Sequence, residues 1–196
     1  MNAYRLFVNG QWVDAVSGET YRIVNPANGQ TVATAALGDE RDAERAADAA
    51  HRAFRAWANT PAPQRADVLL RIYEGMLAHA EELAKRITAE MGKPIREARA
   101  EVKLAAEYVR WGAEEAKRIY GCSIPSPVPH KRLHTLRQPV GPVAAITPWN
   151  FPISMVTRKI SPALAAGCTV VFKPASQAPG AAVLFFQIAA EAGLPP

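Results

Sequence analysis

From Val140 onward the chain alternates strand and helix, and this alternation limits the fold more than any other feature of the sequence. Val140 to Ile146, "VGPVAAI", is apolar and β-branched with turn signals on its left, which predicts a short buried strand. A helix is expected from about Ile153 to Ala166, a second strand from Thr169 to Phe172, and a second helix from about Gly180 to Ala192. The segment joining the strands exceeds the dozen residues that a parallel crossover needs, so a βαβ unit follows. That is half of a doubly wound parallel sheet, an α/β fold. After the last helix comes "GLPP", where the pattern leads one to expect another strand.

The first strand runs into "ITPWNFP", Ile146 to Pro152. Two prolines bracket Trp149, Asn150 and Phe151, so a stiff turn carrying one amide stands at the carboxyl end of a strand. In open α/β sheets ligands bind there. Read on its own, Asn150 is either a turn residue bonding its own backbone or an amide held rigid for function. The second strand ends in "FKPASQAP", where Lys173 is a solvated loop lysine or a ligand for a phosphate or ribose, with Ser176 and Gln177 following. Arg158 and Lys159 stand two helical turns after Asn150, as a solvated face or as a site. Neither strand-to-helix turn contains GxGxxG, which argues against the usual dinucleotide fingerprint.

Upstream, "RLFVNGQWVDA" is a hairpin around Asn9-Gly10, and "GETYRIVNPANGQTVATAAL" repeats strand, turn and strand. After a cap at Asp39, Ala43, Ala46, Ala50, Phe54 and Trp57 recur at helical spacing. The helical pattern continues through Leu69, Ile72, Tyr73, Met76, Ala80, Leu83 and Ile87 until Gly92 and Pro94 stop it. A further helix turns Ala98, Val102, Ala105, Val109 and Gly112 inward. The prolines from 125 to 129 predict an extended connection, followed by a short strand in "RLHTLRQ".

Composition excludes several classes. Hydrophobic residues are 49% and charged residues 21% of 196, an ordinary globular balance. The net charge of +5 comes from Lys and Arg interleaved with Glu and Asp, and a basic edge strand accounts for "HKRLHTLR", so no nucleic-acid partner is expected. No stretch approaches membrane-spanning length, no cleavage-site pattern opens the chain, and a cytoplasmic location is expected. Cys122 and Cys168 form no CxxC, and the four histidines form no HxH or HExxH, so no metal is expected. Cys168 reads as a small buried hydrophobe entering a strand.

"AITPWNFP…RK…PALAAGCTVVFKPASQAP", with "FVNGQWVDA", "VNPANG", "EMGKPIREARAEV", "EEAKRIYG" and "EAGLPP", resembles the NAD(P)-dependent aldehyde dehydrogenase superfamily, in particular its bacterial succinate-semialdehyde branch. The resemblance implies an aldehyde dehydrogenase-like fold. Residues 1–120 and 140–196 would be the N-terminal part of the cofactor domain, and residues 121–139 the start of an oligomerisation arm. It implies that Asn150 is the oxyanion-hole amide, that Ile146, Thr147, Pro148 and Trp149 run along the cofactor, and that Lys173 meets the adenosine ribose or its phosphate. Ser176 stands where many NAD-preferring members carry Glu, which implies NADP in preference to NAD. Arg158 would pair with the distal carboxylate of a semialdehyde. The family's nucleophilic Cys and general-base Glu match positions beyond Pro196, so the chain alone is expected to be inactive and the complete form to be a homo-oligomer. The alternative is a truncated, non-catalytic cofactor-binding or assembly fragment.

Overall fold

A computed structural model describes residues 2–196. The chain opens with β1 (Asn2–Tyr4) and the hairpin of β2 (Leu6–Val8) and β3 (Gln11–Val13), followed by β4 (Thr20–Val24) and β5 (Thr31–Ala36). Asn9 and Gly10 both have positive φ, 51° and 74°, as a two-residue hairpin turn requires. β5 lies between β1, its parallel neighbour, and antiparallel β4. β1, three residues with no strand signal of their own in the sequence, is ordered by its pairing with β5.

Four helices follow: α1 (Glu40–Asn59), α2 (Ala62–Ala78), α3 (Ala80–Met91) and α4 (Ile95–Ala116). Asp39 caps α1 as expected, accepting from the Arg41 N–H at 2.9 Å, while Asp42 accepts from the Asp39 N–H at 3.2 Å. The long helical pattern ending at Gly92 is broken twice, at Thr60-Pro61 and at His79. Pro61 removes an N–H and clears a new start for α2; His79, at φ −100° and ψ 16°, leaves the helical region while the apolar stripe runs on across the break. Periodicity reports the buried face, and a one-residue change of direction leaves it intact. On α1, Ala50 and Trp57 are buried while Ala43 is exposed, so the inward stripe is shorter than its spacing suggests.

After α4 come β6 (Ser123–Ile124) and β7 (Leu133–His134), an exposed two-stranded ribbon. The expected extended connection therefore contains a strand, and "RLHTLRQ" contributes only two residues to its partner. The final unit is β8 (Val143–Ile146), α5 (Ser154–Ala166), β9 (Val170–Lys173) and α6 (Gly180–Glu191). β8 begins three residues later than expected, since Pro142 has no N–H for the ladder. β8 and β9 are parallel, with Ile146 opposite Lys173. The parallel pair and the α/β class are as expected.

The main core lies among α2, α3, α4, α5 and α6, with Ile72, Met76, Leu83, Val102, Val109, Ile153, Val156 and Phe185 essentially inaccessible. Trp57 Nε1–H donates to the carbonyl of Leu164 at 3.1 Å, tying α1 to the end of α5. α4 and α5 approach closely at Gly112, where an added Cβ would meet the Ser161 Cβ at 2.9 Å and the Ser161 carbonyl at 3.3 Å. Those atoms belong to a helix and cannot swing aside. Gly112→Val is expected to destabilise the fold by about 1–3 kcal/mol through overpacking. Ala100→Val, on the exposed side of α4, should stay within about 0.7 kcal/mol. Urea denaturation of the two variants checks the difference.

Candidate functional site

The turn after β8 is fixed from both sides. On its amino side the Thr147 N–H donates to the Lys173 carbonyl at 3.2 Å, extending the β8–β9 ladder by one bond, and Pro148 follows. On its carboxyl side the buried Glu101 carboxylate, from α4, accepts from the N–H groups of Ile153 at 3.0 Å and Ser154 at 3.2 Å. These are orphan donors of the α5 N-terminus, which has no side-chain cap of its own. Lys93 forms an ion pair with Glu101, donates to the Asn150 carbonyl at 3.0 Å, and stands 4.2 Å from the centre of the Phe151 ring.

Asn150 itself is exposed, and among the described residues its side-chain amide makes no hydrogen bond. The turn-residue alternative predicts an amide that bonds the backbone two residues on. Asn25 and Asn28 do this, accepting from Ala27 N–H at 2.9 Å and Gln30 N–H at 3.0 Å. Asn150 does not. A pinned backbone and a free amide are what a site residue needs; Ile146 and Trp149, just before it in the chain, are 67% and 52% exposed.

The second turn follows β9. Lys173 is exposed, and its ammonium reaches only the Pro174 carbonyl, at 3.3 Å, with no carboxylate paired to it among the described residues. Ser176 is exposed beside Tyr21, whose phenol is pushed up by burial and pulled back by the Ser176 hydroxyl. The turn carries no acidic side chain. An unpaired cation and a neutral hydroxyl fit a ribose or a phosphate, including the 2′-phosphate of NADP. Behind the turn, buried Glu90 accepts from the Gly180 N–H at 2.8 Å and from the Tyr4 hydroxyl at 2.7 Å. At the start of both helices a protein carboxylate thus takes backbone N–H groups, one on α6 and two at α5. The absence of GxGxxG has this physical counterpart.

Arg158 is exposed on α5 with its guanidinium 5.9 Å from the centre of the Tyr108 ring on α4, and it pairs with no carboxylate among the described residues. Lys159 is exposed beside it. Cys168 is buried at the amino end of β9, the opposite end of the strand from Lys173, and Cys122 is exposed beside the β6–β7 ribbon. Neither thiol stands at the Asn150 turn. Lys93 and Glu101 were not legible as site residues. "GKP" reads as a helix stop, and Glu101 falls between core positions of α4, where a charged residue is ordinarily solvated. Among the described residues no group of three or more His, Cys, Asp or Glu could hold a metal ion, and no helix is long and apolar enough to cross a membrane.

Comparison with known proteins settles the family: residues 12–196 match the aldehyde dehydrogenase family. The chain belongs to that family. It is 50% identical over 189 residues to the 3-sulfolactaldehyde dehydrogenase of Pseudomonas putida, covering 96% of this chain and 39% of that protein. It is 47% identical over 188 residues to the succinate-semialdehyde dehydrogenase (NADP(+)) GabD of Escherichia coli K12, with the same coverage. A crystal structure of an E. coli NADP-dependent enzyme superposes with a TM-score of 0.97 at 45% identity, covering 99% of this chain and 40% of that one. The chain spans about two fifths of the length of the relatives it matches.

The carboxylate behind the second turn gives a pH signature. Burial raises the Glu90 pKa above its ordinary 4.5, outweighing the Gly180 and Tyr4 hydrogen bonds and Arg86 that lower it. The native state then holds this proton more tightly than the unfolded state. Glu90's contribution is fully present below pH about 4.5 and is lost as pH rises through the raised native value. Glu90→Gln should remove that fall. Chemical denaturation of both proteins between pH 4 and 8 tests this; a wild-type stability that rises with pH relative to the variant would contradict it.

Proposed function

We propose that this chain forms the part of an NADP-preferring semialdehyde dehydrogenase that holds the adenosine end of the cofactor and supplies the oxyanion-hole amide. One observation carries the reading: among the described residues Asn150 has an unbonded side-chain amide, on a backbone pinned in the turn after β8, whose last residue Ile146 pairs with Lys173, a cation with no carboxylate partner. The reaction is aldehyde, NADP⁺ and water to carboxylate, NADPH and two protons. The nicotinamide, when bound, supplies hydride acceptance.

In this reading the Asn150 amide donates to the aldehyde oxygen as a thiolate attacks and negative charge develops there. Since neither Cys168 nor Cys122 stands at the turn, the thiolate is assigned to the part of the relatives' length that this chain does not span. Ile146, Thr147, Pro148 and Trp149 lie along the cofactor, and Lys173 and Ser176 receive its adenosine ribose and 2′-phosphate. The relatives are named for 3-sulfolactaldehyde, glutarate semialdehyde and succinate semialdehyde, all of which carry an anionic group remote from the aldehyde. Arg158, with no carboxylate partner among the described residues and with Tyr108 beside it, is the cation proposed to receive that group. Residues 121–139, with Ile124, Val128, Leu133 and Leu136 exposed, are proposed as the start of an arm that these apolar side chains seat on another subunit.

The test is NADPH formation from succinate semialdehyde by the complete enzyme, followed by absorbance. Arg158→Ala should raise KM for succinate semialdehyde about 10- to 150-fold, the loss of one charge-assisted hydrogen bond, and leave butanal unaffected. Equal losses for both aldehydes would remove Arg158 from the substrate site. Ser176→Glu should turn preference from NADP toward NAD, since a like charge at about 4 Å costs about 1 kcal/mol in bulk water and about 4 kcal/mol at an effective dielectric of 20. Ratios of kcat/KM for the two cofactors check it, and a wild type with no preference for NADP would overturn the premise.

A further inference from the structure

We infer that Lys93 and Glu101 are positioning residues for the Asn150 amide: a buried ion pair whose lysine fixes the amide's own main chain. The inference rests on the reading of Asn150 as the oxyanion donor. Three features separate this pair from an ordinary helix cap. An N-cap is normally a local Ser, Thr, Asp or Asn, whereas α5 begins after Ile153 and takes its cap from a residue 52 positions earlier on another helix. The capping carboxylate is 2% exposed and is balanced by a lysine whose side chain is 10% exposed. A buried ion pair is a weak source of stability compared with an apolar pair, so stability alone does not account for it.

The lysine's remaining contacts supply the reason. Its ammonium has three donors; one goes to Glu101 and one to the Asn150 carbonyl at 3.0 Å, and the Phe151 ring lies 4.2 Å away. Lys93 is itself held between Gly92, at φ 76°, and Pro94, which caps α4. The chain from Asn150 to Ser154 is therefore gripped at 150, 151, 153 and 154 by two side chains from the α3–α4 junction and α4. With Thr147 bonded to the β8–β9 ladder on the other side, the amide-bearing residue has little freedom to drift. Donors aimed at developing charge act through such preorganisation, and a displacement of about 1 Å can cost about 10²-fold in rate.

The experiment is a double-mutant cycle in the complete enzyme, read as single-turnover hydride transfer by stopped flow. Asn150→Ala should lose about 10²–10³-fold. Lys93→Met should lose about 10- to 100-fold in the same step, with KM for aldehyde and cofactor changed less than about twofold. In the Asn150→Ala background the lysine substitution should add almost nothing, because the group it positions is gone. Lys93→Met leaves a buried carboxylate unpaired, so Lys93→Met/Glu101→Gln is measured beside it; this pair is neutral and keeps one acceptor for α5, and the same loss of rate is expected from a folded protein. A full wild-type rate in that folded variant, or a lysine effect undiminished on the Asn150→Ala background, overturns the inference while the Asn150 assignment stands. An undiminished rate in Asn150→Ala overturns the oxyanion reading and the inference with it.

Discussion

Glu101 holds two N–H groups of α5, the ammonium of Lys93 and, through that lysine, the carbonyl of Asn150. Desolvating a carboxylate costs several kcal/mol, and only a full set of partners offsets it. The position of α5 against α4 is thereby coupled to the shape of the turn that precedes it. The close approach at Gly112 completes the arrangement further along the interface, where α4 has no side chain and Ser161 of α5 packs against its backbone.

The same device recurs behind the second turn, where Glu90 serves the N-terminus of α6. In each case the dipole of a helix that follows a parallel strand is answered by a buried glutamate from the α3–α4 region. The positive ends that open α/β folds commonly offer to phosphates are used internally here. Positive charge without a carboxylate partner among the described residues is instead carried by exposed side chains on the flanking elements, Lys173 on β9 and Arg158 on α5. Such charges are free to meet an anionic ligand without first giving up a protein partner, which would cost part of the binding energy.

Much of this was legible in the sequence because it is local. The Asn9-Gly10 hairpin, the Asp39 cap, the inward stripe of α4 and the parallel β8–β9 unit follow from turn chemistry and periodicity alone. The breaks at Thr60-Pro61 and His79 were missed because the buried face continues across them. β1 and β6 were missed because strands of two or three residues have no period to detect, and pairing alone orders them.

The sequence by itself determined the family, the α/β class and the placement of Asn150 and Ser176 in the two strand-to-helix turns and of Lys173 at the end of the second strand, because prolines and strand ends act within a few residues. Only the tertiary structure decided that Asn150 leaves its amide unbonded among the described residues, that Arg158 lies against Tyr108, and that Lys93 and Glu101 hold the Asn150 turn and the start of α5. Those outcomes depend on residues 50 or more positions apart meeting, and at Glu101 on their meeting in a low-dielectric interior. There an unpaired charge is costly enough to dictate its partners, and a linear pattern of residue types carries no record of which partners those are.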